Sequence, residues 1–595
     1  MPGADQTTMA DHTYSGANAV DRNSSFDDET ATHTPQRISS GNKDAASSSQ
    51  DSNKNKEQDV PADVEAIREK NDLEKTNEEK QREGEHDLEP RQEDGKIVLT
   101  ERAGYLATGY SYPTWKKWTI LCVIFAVQVS MNFNTSVYPN AVTGVAEKYG
   151  VSEPAARVGQ MIFLVAYAFG CEFWAPWSEE IGRWPVLQIS LFLVNIWQVL
   201  AALAPNYGSL IVARFLGGLF TAGGSVTLGM VADLWEPDEQ QFAVAFVVLS
   251  SVGGTSVGPF VGGFIQAYLK VEWNFWIQLI FGGAVQIVHF FVVPETRSTI
   301  LLDREAKRRR KNGERNIYGP NEVRTERFSI REIGKYWLRP FEMFVREPIV
   351  LFLSLLSGFS DMLIFIFLES FQLVYKQWGF STVQIGLAFI PINIGYLLGY
   401  LIFMPRFRWE KKRRVRDPDA LAPEARLWLL LFLAPLETLG LFGFAWTSLG
   451  PPNVHWIAPM IFSCMIAIAN YAIYMATIDY MIAAYGPYSA SATGGNALAR
   501  DFLAGISAMY ATPLYNRLGL EWASTLLAFL AIIVAIPVYI FYWKGPQIRE
   551  RSKFAQSLAE DRKANGGKRT DKDDKAESGT IYRREKMQES PQQQH

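Results

Sequence analysis

The chain has 595 residues, 48% of them hydrophobic and 13% aromatic, yet its formal net charge is only −4. Those averages would suit a soluble protein if they were evenly spread, and they are not. Cys122, Cys171 and Cys464 each lie in a separate apolar run, and of the six histidines only His289 does. This excludes a disulfide framework and offers no metal-ligand spacing, so neither a metal site nor a cofactor is expected.

Residues 1 to about 112 are dominated by Asp, Glu, Lys, Arg, Ser, Asn and Gln, and their longest apolar run is Ile97-Val98-Leu99. Such a segment buries too little apolar area to offset its chain entropy, so a disordered tail is expected. Nothing near Met1 reads as a cleavable signal peptide, and the first apolar run is expected to remain as an anchor. From Trp115 to Trp543, apolar runs near twenty residues long recur. At 1.5 Å rise per residue each can cross a hydrocarbon core roughly 30 Å thick.

Hydropathy places spans at 118–138, 159–177, 185–204, 209–231, 242–268 and 274–294, then at 347–371, 383–404, 427–447, 456–484, 490–512 and 523–543. The expected fold is an all-α membrane protein of twelve transmembrane helices in two six-helix bundles. Its expected divisions are a tail (1–112), a first bundle (113–296), a basic central loop (297–346), a second bundle (347–543) and a C-terminal tail (544–595).

Lys and Arg set the expected orientation. They crowd the central loop, with the block Lys307-Arg308-Arg309-Arg310-Lys311, the loop from Arg406 to Arg416, and the tail from Lys544 to Lys553. Loops of the other parity, such as Ala204–Gly208 and Leu449–His455, carry no Asp, Glu, Lys or Arg. Both termini are therefore expected in the cytoplasm of a cell-membrane protein. The basic block is expected to anchor topology at anionic lipid, without a nucleic-acid partner. Two six-helix bundles joined by a basic loop is also the layout of transporters built from repeats.

After span two the chain reads Ala175-Pro-Trp-Ser-Glu179-Glu180-Ile-Gly182-Arg183-Trp-Pro185. Glu179 and Arg183 are spaced to pair across a helical turn, and Gly182 permits a sharp return. By itself this is either a tight hairpin with a solvated ion pair or a functional element. In span five, Gly254-Thr-Ser-Val-Gly258-Pro259-Phe-Val-Gly262-Gly263 sets small residues on one stripe, where a neighbouring helix can approach closely, and Pro259 adds a bend.

With these motifs the chain resembles a major facilitator superfamily transporter of the fungal twelve-spanner drug:proton antiporter family. The span-two hairpin is similar to the signature G-x-L-x-D-x-x-G-R, with Ala175 for the first Gly, Trp177 for Leu and Glu179 for Asp. Arg214, followed by Gly217-Gly218, resembles the span-four arginine motif, and Gly254 to Gly263 matches the antiporter motif of span five. Pro294-Glu295-Thr296-Arg297 and Gly545-Pro-Gln-Ile-Arg549 look like further fungal marks. The resemblance covers residues 112–555 and neither tail. It implies that helices 1, 4, 7 and 10 line a central cavity and that a proton gradient drives export. It also implies a cytoplasmic latch of Glu179, Gly182, Arg183 and Asp233.

Ionisable groups inside spans are costly and usually functional. Arg214 enters span four from outside and lies about 7–10 Å deep. Asp361 lies about 18 Å into span seven, leaving about 12 Å to the outer face. Arg214 and Asp361 are thus expected at similar depths in opposite halves, with Asp361 as proton carrier and Glu369 as the next candidate. The adjacent Arg500 and Asp501 in span eleven are expected to find different partners. Asp479 is expected to be solvated, and Glu437 has no evident role. Glu172 is compatible with either the cavity or the latch, and His289 suits a packing role. Phe133, Tyr138, Phe359, Phe365, Tyr471 and Tyr474 are the candidate substrate contacts on cavity helices, through area burial and cation–π attraction.

The expected function is proton-coupled export of small amphipathic molecules by a monomer. Polyamine:proton antiport, nutrient symport and a non-transporting membrane sensor are the alternatives. No nucleophile, base and oxyanion grouping suggests an enzyme.

Overall fold

In a bilayer every backbone N–H and C=O must be bonded within its own segment, so apolar runs of this length fold as helices. The computed structural model describes residues 91–93, 96–236, 239–314, 316–323, 330–416, 421–552 and 554–556. Residues 1–90 of the expected N-terminal tail, and those of the C-terminal tail beyond 556, lie outside the described residues.

The first bundle comprises α1 (Thr114–Ser136), α2 (Glu153–Glu180), α3 (Arg183–Ala202), α4 (Tyr207–Leu234), α5 (Gln240–Tyr268) and α6 (Trp273–Val292). The second comprises α7 (Pro348–Tyr375), α8 (Ile390–Arg416), α9 (Leu430–Thr447), α10 (Ile457–Tyr485), α11 (Ser489–Leu518) and α12 (Leu520–Glu550). The twelve-helix, two-bundle architecture expected from hydropathy is present. The central spans are largely buried, 78% in α1 and α7 and 72% in α10, whereas α6 is 28% buried and α12 39%. An outer ring facing lipid accounts for the difference.

Among the described residues, α11 is the one of the twelve too polar to qualify as a membrane span by composition. It carries Arg500 and Asp501 at its middle. A charged residue at the centre of a lipid-facing helix costs roughly 2.5–3.5 kcal/mol, so two would cost roughly 5–7 kcal/mol. The chain avoids this by sandwiching α11 between α7 of its own bundle and α2 of the other. The second seam between bundles is α5 against α8 and α10.

Two expected boundaries change. The sequence places residues 96–112 in the disordered tail, but they hold defined structure. Strand β1 (Arg91–Glu93) pairs antiparallel with β2 (Lys96–Val98), and β2 pairs in parallel with β3 (Ile317–Tyr318) of the central connection. Leu99, which follows β2, is buried, and Gly104 packs against Leu302 of the helix Ser298–Lys311. Apolar content alone missed this because the segment borrows its core from residues two hundred positions away. The expected central loop is likewise structured, ending in the amphipathic helix Ile330–Arg346. Its Arg310 guanidinium holds the Glu322 carboxyl below the usual carboxylate range through a direct bond. At the far end of the chain, α12 runs to Glu550, six residues past the expected start of the tail at Lys544.

The glycine stripe of α5 lies on α1. A Cβ at Gly254 would stand 2.9 Å from the Val129 carbonyl, and one at Gly258 would stand 2.7 Å from the Ser136 carbonyl carbon. Gly262 packs on Asn140, just beyond α1. Gly263 turns to the other bundle, where its Cβ would meet the Thr382 carbonyl at 3.0 Å. Overpacking such a contact costs about 1–3 kcal/mol. Gly258→Leu is therefore expected to lower the melting temperature of the purified protein and reduce cross-linking between cysteines placed on α1 and α5. Unchanged melting and cross-linking would show that the close approach is dispensable.

Candidate functional site

Three groups of buried polar residues lie along the seam between the bundles or beside it. One face of the molecule gathers the helix Ser298–Lys311, the sheet, and the ends of α8 and α12, and is called here the basic face.

On the basic face, Gly182 (φ 116°) turns the chain between α2 and α3, a conformation that favours glycine. Arg183 then donates from Nε to Asp233 Oδ2 at 2.9 Å and from Nη1 to Ser178 Oγ at 2.6 Å. Asp233 takes a second cation, Arg297, at 3.3 Å. Glu295 accepts from the backbone N–H groups of Arg183, Thr296 and Arg297, each at 2.9 Å. The expected meeting of Arg183 and Asp233 is thus present. Glu179 acts on Arg183 through space, but no ion pair joins them among the described residues. Glu295 instead holds the backbone at the start of α3. The sequence marked Glu295 and Arg297 as a motif without a role, and the role becomes visible only when the end of α6 returns to the start of α3. The N-terminal segment reaches the same point: Tyr110 donates to the Ala232 carbonyl at 3.0 Å. Burial, then Glu101 and Asp233, push its hydroxyl up to about 12.

The second bundle repeats this layout. Arg426, just before α9, bonds Asp479 near the end of α10, as Arg183 at the start of α3 bonds Asp233 near the end of α4. Arg549 of α12 pairs with Glu424 at 2.7 Å. Asp479, expected to be solvated, is buried in its pair with Arg426. The second latch is tied to the first bundle at Gln241 of α5, whose amide donates to Asp479 Oδ2 at 2.8 Å and Glu410 Oε2 at 3.2 Å. Lys411 and Glu239 add an exposed bridge at 2.9 Å.

At the centre, Arg500 lies 3.8 Å from Asp361 and 3.5 Å from Asp501, with its guanidinium 4.2 Å from the Tyr474 ring centroid. The sequence set Arg214 against Asp361, and the structure sets Arg500 there. It also shows the adjacent Arg500 and Asp501 paired with each other, because the arginine is long enough to fold back beside its neighbour. Glu172 of α2 faces this cluster's helix from the other bundle: it packs over Gly494 of α11, and its buried Oε1 has no hydrogen-bond partner among the described residues. Arg214 is buried inside the first bundle. It donates to the Gly159 carbonyl at 3.1 Å and stands over the rings of Phe163 (3.9 Å) and Tyr138 (4.5 Å).

At the opposite face, Glu369 of α7 accepts from Arg157 Nε of α2 at 3.0 Å and from Thr512 of α11 at 3.4 Å. This pair ties the two bundles together. Sequence reasoning overlooked Arg157 because it sits in the first turns of α2, where an arginine reads as a solvated helix end.

The expected aromatic contacts divide. Tyr474 lies on the Arg500 cluster, and Tyr471 crosses the seam to donate to the Ala245 carbonyl at 3.0 Å. Tyr138 packs under Arg214, while Phe133 turns away to Phe281. Phe359 and Phe365 are buried in the core on α7. Glu437 accepts a hydrogen bond from Ser360 Oγ, which in turn accepts from Asn470 at 3.0 Å. This locates Glu437 inside the second bundle. His289 packs against Gln188 of α3.

Two helical bundles with an ionic cluster buried at their seam and polar ties at both ends define a multi-pass membrane transporter. Residues 123–508 match the Major Facilitator Superfamily, and the chain belongs to that superfamily. It is 31% identical over 450 residues to the MFS-type transporter acdC of Aspergillus candidus, covering 74% of this chain and 87% of the relative. It is 31% identical over 453 residues to the ascochitine biosynthesis cluster MFS transporter of Didymella fabae, covering 75% and 87%. The citrinin biosynthesis cluster MFS transporter mrr1 of Monascus ruber matches at 30% over 452 residues, covering 75% and 89%. Among solved structures, the human organic anion transporter MFSD10 aligns with a TM-score of 0.51 at 15% identity, over 72% of this chain and all (100%) of that one. The proton:xylose symporter XylE aligns at 0.50 with 16% identity, over 73% and 96%. At those identities the two structures share the fold.

Removing one partner of a buried ion pair costs roughly 3–5 kcal/mol. Arg183→Glu sets a third acid beside Asp233 and Glu295, and is expected to cut transport at least tenfold while membrane targeting persists. Reporter fluorescence at the membrane and substrate accumulation measure the two separately. Full transport by this variant would remove the latch from the mechanism.

Proposed function

We propose that the protein is a proton-coupled exporter of small amphipathic molecules, working as a monomer by alternating access. In this reading it sits in a cell membrane with both termini in the cytoplasm, which makes the basic face the inner one. The observation that carries it is the central cluster. Asp361, Arg500, Asp501 and Tyr474 lie on three helices of one bundle, and Glu172 approaches α11 from the other.

A carboxylate beside a guanidinium can exchange its ionic partner for a proton when the bundles rock. Asp361 is the proposed proton carrier, and Arg500, rather than Arg214, is the cation it answers to. Arg214 remains a coupling candidate that supports the first bundle. Glu369, bonded to Arg157, acts in this scheme as the outer tie. Gln241, Glu410 and Asp479 form the inner tie, which the Arg183–Asp233 and Arg426–Asp479 latches stiffen. Opening one face requires breaking that face's tie and leaving the other intact. Export of secondary metabolites is supported by the relatives named for ascochitine and citrinin clusters. The proton and the export direction rest on the antiporter stripe, whose Gly254 and Gly258 seat on α1 while Gly263 reaches the second bundle.

Polyamine:proton antiport is a second reading, favoured by the charge balance at the centre. Glu172, Asp361 and Asp501 outnumber the single Arg500, an excess of acid that suits a cation.

The test is efflux from reconstituted vesicles under an imposed pH gradient, with a fluorescent amphipathic amine and with spermine. Asp361→Asn is expected to abolish accumulation against a gradient while leaving downhill exchange within a few fold of wild type. Concentrative transport by Asp361→Asn would transfer the proton to another carboxyl. Arg157→Ala is expected to raise the leak of substrate down its gradient, and unchanged leak would exclude Arg157 from the outer tie.

A further inference from the structure

A cavity of about 1060 Å³ opens away from the central seam, where the helix Ile330–Arg346 and the start of α7 meet the end of α12. Its size lies just above the roughly 300–1,000 Å³ typical of small-molecule sites. Its lining changes character along the membrane normal. Arg346, Arg551 and Ser552 lie at the basic face, and Phe352, Pro537 and Ile540 lie deeper along α7 and α12. Phe352 and Ile540 are 43% and 44% exposed, so the deep end faces the lipid side of the bundle and not the central site.

Dimensions and charge select the occupant. Pro537 precedes Arg551 by fourteen residues, which is about 21 Å along a helix. One leaflet offers roughly 15 Å of hydrocarbon plus roughly 5–7 Å of headgroup, the same length with the same order of polarity. The roof of the cavity is an amphipathic helix whose Leu338 and Val345 are 68% and 74% exposed, the mark of a helix lying in the interface. Of the acids on the lining, Glu342 is bonded to Arg346, and Glu347 is buried and accepts from Tyr485 at 3.1 Å. Arg551 has no carboxylate partner among the described residues.

We propose that this cavity holds one glycerophospholipid, with its phosphate at Arg551 and Arg346 and one acyl chain along Phe352, Ile540 and Pro537. The lipid then fills the wedge between the central connection and α12, and seats the helix that leads directly into α7.

Native mass spectrometry of the full chain, released from mild detergent, counts retained lipid. Wild type is expected to keep one phospholipid that Ile540→Trp, which fills the groove, and Arg551→Glu, which repels phosphate, each reduce at least tenfold in occupancy. Ile461→Trp, on an exposed position of α10 elsewhere, is expected to retain it. The wild-type chain supplies a second measurement that needs no variant. After delipidation, phosphatidylglycerol is expected to raise the melting temperature saturably at one equivalent, and inorganic phosphate is expected to leave it unchanged. Equal retention by all three variants, an equal shift with inorganic phosphate, or non-saturating stabilisation would each overturn the proposal.

Discussion

The rest of the structure depends on α11 being too polar to face lipid. Arg500 and Asp501 at its centre would cost roughly 5–7 kcal/mol in contact with acyl chains, so the helix is driven to a protein-lined position. A six-helix bundle alone leaves one side of that helix uncovered. The α2 helix of the other bundle covers it, bringing Glu172 to Gly494. The same burial that stabilises α11 therefore creates a seam between bundles with ionisable groups along it. Site and architecture have one cause.

Each bundle stiffens its basic end with an arginine at the start of its third helix or just before it, bonded to an aspartate near the end of its fourth. The pairs are Arg183–Asp233 and Arg426–Asp479. These bonds lie within bundles, so the proposed rigid-body rotation would leave them intact. The bonds that the proposed rotation would break lie between bundles: Gln241 to Asp479 and Glu410 on one face, and Arg157 to Glu369 on the other. Charge-assisted bonds of this kind are strong enough to hold a face closed and few enough to be exchanged.

The spans and their division into two bundles were legible in the sequence, because a run of twenty apolar residues carries its own physical meaning. The Arg183–Asp233 pairing is implied by the family resemblance, whereas spacing alone offers Glu179 to Arg183. Other partner choices were not legible. Asp361 and Arg500 are 139 positions apart, and depth alone made Arg214 an equally reasonable partner. Arg214 instead turns to the Gly159 and Asn134 carbonyls and to aromatic faces within one bundle. Glu437 seemed isolated because its donor, Ser360, is a hydroxyl on another helix with no charge to betray it. Residues 96–112 read as tail because a three-residue strand has no periodicity to detect, and its partner Ile317–Tyr318 is two hundred residues away.

The central claim is that the two faces open reciprocally about the buried α11 cluster. Double electron–electron resonance tests it most directly, with spin labels at positions 232 and 408 on the basic face and at 153 and 376 on the opposite face, in a chain freed of its three cysteines. On moving from acidic to alkaline pH with substrate present, one distance is expected to lengthen as the other shortens. Two distances that lengthen together, or that both stay fixed during active transport, would contradict the account.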